Sequence, residues 1–271
     1  MTGITETVTG EWMELSAGFS PEEPLYVITD MHGCLEAMDR LLSRRPADAR
    51  LVFLGDAVDR GPDPLGVISV LMTDGRNMLL RGNHDAMAWF SQPDVLPSVL
   101  PSCKWMEQNW MYNGGGVTRI AFREALKAGA PCGGIAKAVP RLFEDYWLRG
   151  VGWWRSGNLV FVHGGLPGWE GREWLSMEPS LAASHENSPY WFRPDMNELY
   201  RKPRMVDGEE VFVVFGHTPM SPSHALLPFG ISLDRGYELK MAAEMRPAEG
   251  GQPARVRFVS TECDEIRRRR S

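Results

Sequence analysis

Five short apolar runs each break off into a polar block that holds Asp, Asn or His, and this recurrence constrains the fold more than any other feature of the chain. Leu25-Tyr26-Val27-Ile28 leads into Thr29-Asp30-Met31-His32-Gly33, and Leu51-Val52-Phe53-Leu54 into Gly55-Asp56-Ala57-Val58-Asp59-Arg60-Gly61. Met78-Leu79-Leu80 leads into Arg81-Gly82-Asn83-His84-Asp85, Leu159-Val160-Phe161-Val162 into His163-Gly164-Gly165, and Val211-Phe212-Val213-Val214-Phe215 into Gly216-His217-Thr218-Pro219. Runs this short, continuous and bounded by turn signals read as buried strands. Ile231-Ser232-Leu233 reads the same way, and Arg255-Val256-Arg257-Phe258-Val259 alternates like a strand with one wet face.

Helical spacing fills the intervals. Leu35, Met38, Leu41 and Leu42 recur after Cys34, and Leu65, Val67, Ile68, Val70 and Leu71 follow the turn Gly61-Pro62-Asp63-Pro64. Strands alternating with helices predict an α/β sheet. From about Met87 to Leu148 the strand signal vanishes and helical patterns dominate, broken at Asn113-Gly114-Gly115-Gly116 and Pro131. That stretch reads as a helical insertion within one domain of residues 25–260, because strand runs resume after it. Residues 1–24, polar and weakly periodic, are expected to be poorly ordered. Residues 261–271 are expected to form a basic tail whose Arg267, Arg268, Arg269 and Arg270 are solvated, although such a run can also meet anionic lipid, nucleic acid or an acidic partner.

In open α/β folds ligands gather beyond the carboxyl ends of the strands. The five blocks would therefore deliver Asp, Asn and His to one edge. One histidine after a strand is ordinarily structural. Here, however, His32, His84, His163 and His217 all occupy such positions, out of six histidines in the chain; His185 and His224 do not. Carboxylates, an amide oxygen and imidazoles make a mixed oxygen and nitrogen donor set, suited to Mn, Fe, Zn or Co and too large for one tetrahedral ion. No cysteine joins it.

The net charge of -6 disfavours nucleic acid as a partner. Cys34, Cys103, Cys132 and Cys263 show no CxxC spacing and read as free thiols of a reducing cytoplasm. The first residues lack the basic start and apolar run of a signal peptide, and no stretch reaches the roughly 20 apolar residues needed to span a bilayer. A soluble, cytoplasmic protein is expected.

The blocks DMHG, GDAVDRG, GNHD, HGG and GHT together resemble the calcineurin-like metallophosphoesterases, and more narrowly the serine/threonine-type phosphoprotein phosphatases with their small bacterial and phage relatives. The likeness runs from about Leu25 to Gly236. It implies a four-layer α/β/β/α sandwich carrying the helical insertion. It also implies two divalent metal ions, manganese first, held by Asp30, His32, Asp56, Asn83, His163 and His217, with Asp56 bridging. A hydroxide between the ions would attack phosphorus in line, and His84, held by Asp59, would protonate the leaving oxygen. Arg60 and Arg81 would contact the phosphate, as would Arg193 in Tyr190-Trp191-Phe192-Arg193-Pro194. Asp85 and Asp234 would orient histidines. Two positions depart from the pattern: Thr29 stands where a glycine is usual, and Arg235 where a small residue is usual. Arg235 would add a phosphate contact or narrow the access.

The substrate is less constrained. The resemblance favours a phosphoprotein, supported by Trp110-Met111-Tyr112-Asn113-Gly114-Gly115-Gly116, which is similar to a block of the small bacterial phosphatases; a phosphorylated small molecule is the other substrate class. A symmetrical dinucleoside tetraphosphate hydrolase is the alternative, with Trp105, Trp110, Trp153, Trp154 or Trp191 available to stack bases, although tryptophans are more simply packing. A non-catalytic metal-binding regulatory module would lack a ligand or His84, and neither is missing. Cys34 to Arg40 and Cys263 to Arg269 have the spacing of a cysteine phosphatase but no glycine-rich phosphate loop.

Overall fold

The buried runs become the strands of two sheets in the computed structural model, which describes residues 7–95, 101–167, 172–177, 188–193, 201–221 and 225–263. The first sheet holds β1 (Val8–Thr9), β2 (Met13–Glu14), β3 (Leu25–Ile28), β4 (Arg50–Phe53) and β5 (Met78–Leu79), joined by β12 (Leu239–Arg246) and β13 (Arg255–Glu262). Its order is β1-β13-β12-β3-β4-β5, with β2 also on β13. The second sheet holds β6 (Trp153–Ser156), β7 (Leu159–Val162), β8 (Arg204–Val206), β9 (Glu209–Phe215), β10 (Leu226–Leu227) and β11 (Gly230–Ser232). Its order is β10-β11-β9-β7-β6, with β8 also on β9.

The two faces of each strand explain why the runs lack polar alternation. Leu25 and Val27 of β3 pack between the sheets against Phe161, Phe212 and Val214. Tyr26 and Ile28 of the same strand face the helices, among Met38, Leu41 and Ile68. Val160, Val213 and Phe215 face outward from the second sheet and are covered by Leu166, Leu175 and Met220. Strands β3, β4 and β5 run parallel, as do β7, β9 and β11. Their carboxyl ends carry the five blocks.

The helical layer over the first sheet contains α1 (Leu35–Leu42), α2 (Pro64–Met72), α3 (Asn83–Phe90) and α6 (Arg141–Arg149), with α4 (Pro101–Tyr112) and α5 (Gly116–Lys127) between the last two. The expected insertion is thus α-helical. Over the second sheet, α7 (Arg172–Leu175) is the helix among the described residues. Proline at the first position of α2 and Asp63 at its cap, where Oδ1 accepts from Gly66 N at 2.7 Å, fix its start; such a cap is worth about 1 kcal/mol.

The structure corrects three expectations. Residues 7–24 are not loose: β1 and β2 pair with β13, and Leu15 and Phe19 are buried, Phe19 tilted against Phe212 at 5.6 Å. Edge pairing and two apolar anchors hold a segment that has no periodicity to announce it. Strand β13 extends to Glu262, past the boundary set for a basic tail. Cys34 and Cys263, 229 residues apart, form a disulfide with Cα atoms 6.5 Å apart, so these two are not free thiols, whereas Cys132 is. The fold lays α1 along the end of β13, where Arg40 Nη2 donates to Glu262 O at 2.5 Å. His185, His224 and the arginines 267–270 lie outside the described residues. No helix of the described residues is long and apolar enough to cross a membrane.

Candidate active site

The five blocks meet at one edge, and their backbones are bent to do so. Asp30, His32, Asp56, Asp59, Arg60 and His217 all adopt positive φ, between 47° and 74°. The remaining non-glycine residue of this kind among the described residues is Asp207, in the β8–β9 turn. Left-handed conformations are unfavourable for residues with a Cβ, so their concentration here marks backbone that the surrounding packing holds in place. Glycine is required where blocks touch: a Cβ on Gly82 would collide with the Asp56 carboxylate, and one on Gly216 with Thr29 and Asp30.

Asp56 sits at the amino end of α3, where His84 N–H donates to its Oδ1 at 2.9 Å and the helix dipole favours a negative charge. His163 Nε2 stands 3.4 Å and His32 Nε2 3.7 Å from its Oδ2. Burial works against the Asp56 charge, but the surrounding imidazoles, His163 foremost, outweigh it and hold the carboxyl well below the usual range. Asp30 goes the other way, pushed up to about 7 by burial and by the nearby Asp234. Its Oδ2 accepts from Thr29 Oγ1 at 2.5 Å and from His217 N–H at 3.0 Å. The unusual Thr29 therefore orients a carboxylate instead of disturbing it.

The histidines are aimed by the backbone. His32 Nδ1 donates to Val58 O at 2.9 Å and His163 Nδ1 to Leu54 O at 3.0 Å, which turns both Nε2 atoms to the shared space. His163 Nε2 lies 2.9 Å from Asn83 Oδ1, an acceptor. That contact requires a proton on Nε2. Burial lowers the His163 pKa, yet Asp56 more than compensates and lifts it to about 9. His217 and His32 are instead held well below the ordinary imidazole value, first by burial.

Metal fits this arrangement. Asp56, His163 and His217 present donor atoms within 4.8 Å of one another, as do His32, Asp56 and His84, and Asp30 Oδ1 is 3.9 Å from His32 Nε2. His217 Nε2 is buried and has no hydrogen-bond partner. Buried carboxylates facing imidazoles, of which His32 and His217 are held neutral, with one orphaned nitrogen, form a hard-to-borderline donor set that a divalent cation satisfies.

Beside this cluster lies a group that is already complete. His84 Nδ1 meets Asp59 Oδ2 at 2.6 Å. Trp110 Nε1 donates to both Asp59 oxygens, at 2.9 and 3.1 Å, and Thr118 Oγ1 donates to Oδ1 at 2.7 Å. Trp110 is on α4 and Thr118 on α5, so the insertion braces this pair. Sequence reasoning missed both residues. Trp110 lay in a block already noted, but nothing local marked its partner.

The arginines divide. Arg60 Nη1 donates to His32 Nε2 at 2.6 Å, and its guanidinium lies 4.5 Å from the centre of the Tyr237 ring. Arg193 Nη1 reaches His217 O at 3.2 Å. Arg81 faces α6 instead, donating from Nε to Trp147 O at 3.0 Å with its guanidinium over the Trp147 ring. Arg235 folds back to Asp234 O and Ser232 O. Asp85 does not orient a histidine: it accepts from the backbone N–H groups of Asp56, Ala57 and Gly82 and from Tyr146 OH, binding the second block to the third. Asp234 Oδ1 accepts from Gly236 N. Lys240, buried in β12, donates to Asp30 O at 2.5 Å and places a positive charge under the carboxylates. Trp191 stands edge-on to His217 at 6.1 Å, while Trp153 and Trp154 belong to β6.

A sequence profile of the calcineurin-like phosphoesterases matches residues 23–221. Serine/threonine-protein phosphatase 1 of Salmonella typhimurium is 34% identical over 110 residues, 39% of this chain and 46% of its own. The symmetrical bis(5'-nucleosyl)-tetraphosphatase of Coxiella burnetii is 38% identical over 148 residues, 52% of this chain and 42% of its own. That of Ralstonia nicotianae is 43% identical over 65 residues, 23% of each chain. The chain thus matches less than half the length of each of these relatives. Among solved structures, a serine/threonine phosphatase of Saccharomyces cerevisiae superposes with a TM-score of 0.51 at 13% identity, covering 91% of this chain and 82% of its own. A candidate diadenosine tetraphosphatase gives 0.51 at 19% identity, covering 90% and 98%. At these identities the two structures show a shared fold.

Proposed function

The chain belongs to the calcineurin-like phosphoesterase family, and on that premise we propose that it hydrolyses phosphate monoesters, with phosphoserine and phosphothreonine in proteins as its substrates. The observation that carries this reading is the braced His84–Asp59 pair at 2.6 Å, adjoining a cluster of metal donors. Divalent ions, manganese first, held by Asp30, His32, Asp56, Asn83, His163 and His217, would neutralise phosphate charge and make water nucleophilic near neutral pH. The chain's own residues do the rest. Asp59 engages Nδ1 of His84, which leaves Nε2 toward the cluster to give a proton to the departing oxygen; such acid catalysis is typically worth about 10²–10⁴-fold. Arg60 supplies a planar fork of donors that matches two phosphate oxygens, and Arg193 approaches beside the fifth block, on His217 O. Arg81, committed to Trp147, takes no part.

A second reading rests on Trp191, half-buried beside His217, and on the tetraphosphatase relatives: a symmetrical dinucleoside tetraphosphate hydrolase, with that ring under a base. One panel separates the two. Purified protein in Mn²⁺ is offered a phosphoserine peptide, diadenosine tetraphosphate and an aryl phosphate, while calorimetry follows Mn²⁺ entering the chelated protein. Faster peptide turnover together with measurable Mn²⁺ binding is expected. A tetraphosphate rate ten-fold above the peptide rate would install the second reading, and absence of turnover on all three would sink both.

A further inference from the structure

We propose that the cleft between α4 and α5 is a second binding site, for a small anion that carries a flat apolar body. The cavity measures about 1130 Å³, at the large end of small-molecule sites, which run to roughly 1,000 Å³. Its floor is apolar: Trp110 and Phe122 are buried there, and Ile120 stands over half exposed on the wall. Among the described residues its lining holds Lys104, Arg119, Arg123 and Lys127 against Glu107, with Glu124 beside the last two cations. Cations outnumber acids on this rim, on a chain whose net charge is -6. The rim is not locked. Arg119 meets Glu107 at 3.1 Å, while Arg123 and Lys127 share Glu124 at 3.4 and 3.0 Å, all as exposed pairs. Exposed pairs contribute little and exchange readily for a ligand's charge. An aromatic floor under a cationic rim selects an anion whose ring system stacks while its charge stays at the mouth.

The cleft is also connected to the chemistry. Trp110, whose ring lines the cavity, donates Nε1–H to the Asp59 carboxylate that holds His84. Thr118, the other donor to Asp59, is one turn from Phe122 on α5. A ligand pressing on this floor touches the brace of the acid pair without entering the metal cluster.

The probe is 8-anilinonaphthalene-1-sulfonate, titrated by fluorescence into the full chain in Mn²⁺. Saturable binding at one site is expected, weakened at least ten-fold in the doubly reversed variant Arg119→Glu with Arg123→Glu, whose melting temperature checks its fold. Neutral N-phenyl-1-naphthylamine should bind at least ten-fold more weakly than the sulfonate. Ile120→Asp, at an exposed wall position, should weaken the probe as well. Non-saturable uptake, equal affinity for the neutral dye, or a charge-reversed variant that binds undiminished overturns the site. In aryl phosphate turnover the bound probe should lower kcat at unchanged KM; a KM that rises at constant kcat would place the probe in the metal cleft and overturn the proposal. The fluorescence arm needs no turnover, so its outcome is independent of the activity proposed above.

Discussion

The two halves of the site are built on opposite principles. Asp59 is surrounded by donors, with Trp110, Thr118 and His84 all aimed at its carboxylate. That half is finished by the protein alone. The neighbouring cluster is left wanting. Asp30 and Asp56 lie buried together, His217 Nε2 has no hydrogen-bond partner, and His163 Nε2 lies 2.9 Å from Asn83 Oδ1. Buried polar groups are ordinarily satisfied, and buried charges compensated. The contrast teaches that the His84–Asp59 pair is preorganised by packing, while the neighbouring donor cluster is preorganised only in shape and has room for a cation to complete it.

The largest expected effect comes from striking the cluster at its centre. Asp56→Asn removes the carboxylate common to both donor groups, and should abolish Mn²⁺ binding by calorimetry and turnover by about 10³-fold or more. The imidazoles hold the Asp56 carboxyl low, so its charge stabilises the fold and the chelated variant should melt some degrees below the parent while still unfolding cooperatively; loss of the cooperative transition would mean that Asp56 is structural. Next, His84→Asn should lower kcat on an alkyl phosphate by about 10²–10⁴-fold and leave Mn²⁺ affinity within about two-fold. If both collapse together, the two halves are not separable. Thr118→Val is smaller. It deletes one of the donors to the buried Asp59, a hydrogen bond to a charged group worth about 1.5–3 kcal/mol, and should lower kcat by about ten-fold with KM unchanged.

The smallest effect concerns pH, and its sign follows from the raised values. Asp30 stands at about 7 against an ordinary 3.8, and His163 at about 9 against 6.5. A group whose folded pKa is raised stabilises fully below its unfolded value and loses that stability as pH rises through the folded one. His32 and His217, held low, gain stability as pH rises toward 6.5 and offset Asp30 there, so the chelated protein should lose several degrees of melting temperature between pH 6.5 and about 9, the interval of His163. Asp56 is held low, so its own window lies below the ordinary carboxylate range and does not interfere. Metal replaces the protons, so the gap between Mn²⁺-loaded and chelated melting temperatures should widen over the same interval. A gap that stays constant would show that the cluster does not exchange protons for metal.

Much of this was legible in the sequence, for definite reasons. Leu25–Ile28 and Leu159–Val162 are buried on both faces, so an unbroken apolar run marked each strand at its bounds. The polar blocks were legible because glycine is needed wherever two of them touch. Strand β12 was not. It reads LKMAAEMR, rich in helix formers, and becomes a strand because β3 and β13 flank it, with Lys240 turned to Asp30 and Glu244 to Arg257. Tertiary pairing overrides propensity there. Trp110 and Thr118 lie 51 and 59 residues from Asp59, and the Cys34–Cys263 bridge joins residues 229 apart. No local pattern encodes such contacts. Asp85 was assigned to the site but not to its actual task, since a carboxylate collecting three backbone N–H groups looks, in sequence, like any other acid beside a histidine.

Arg60 gives the two ends of the donor cluster different histories. Its guanidinium rests on His32 Nε2, whereas His217 Nε2 accepts nothing. An ion arriving at His217 meets a lone pair that is ready. An ion arriving at His32 would have to displace an arginine from the nitrogen and from the Tyr237 ring. Rapid mixing of the chelated protein with Mn²⁺ should then show a fast phase proportional to ion concentration, followed by a phase limited by one side chain's departure. Under the proposed function the arginine released is the one that would receive the substrate's phosphate, so grip and cutting would become possible together.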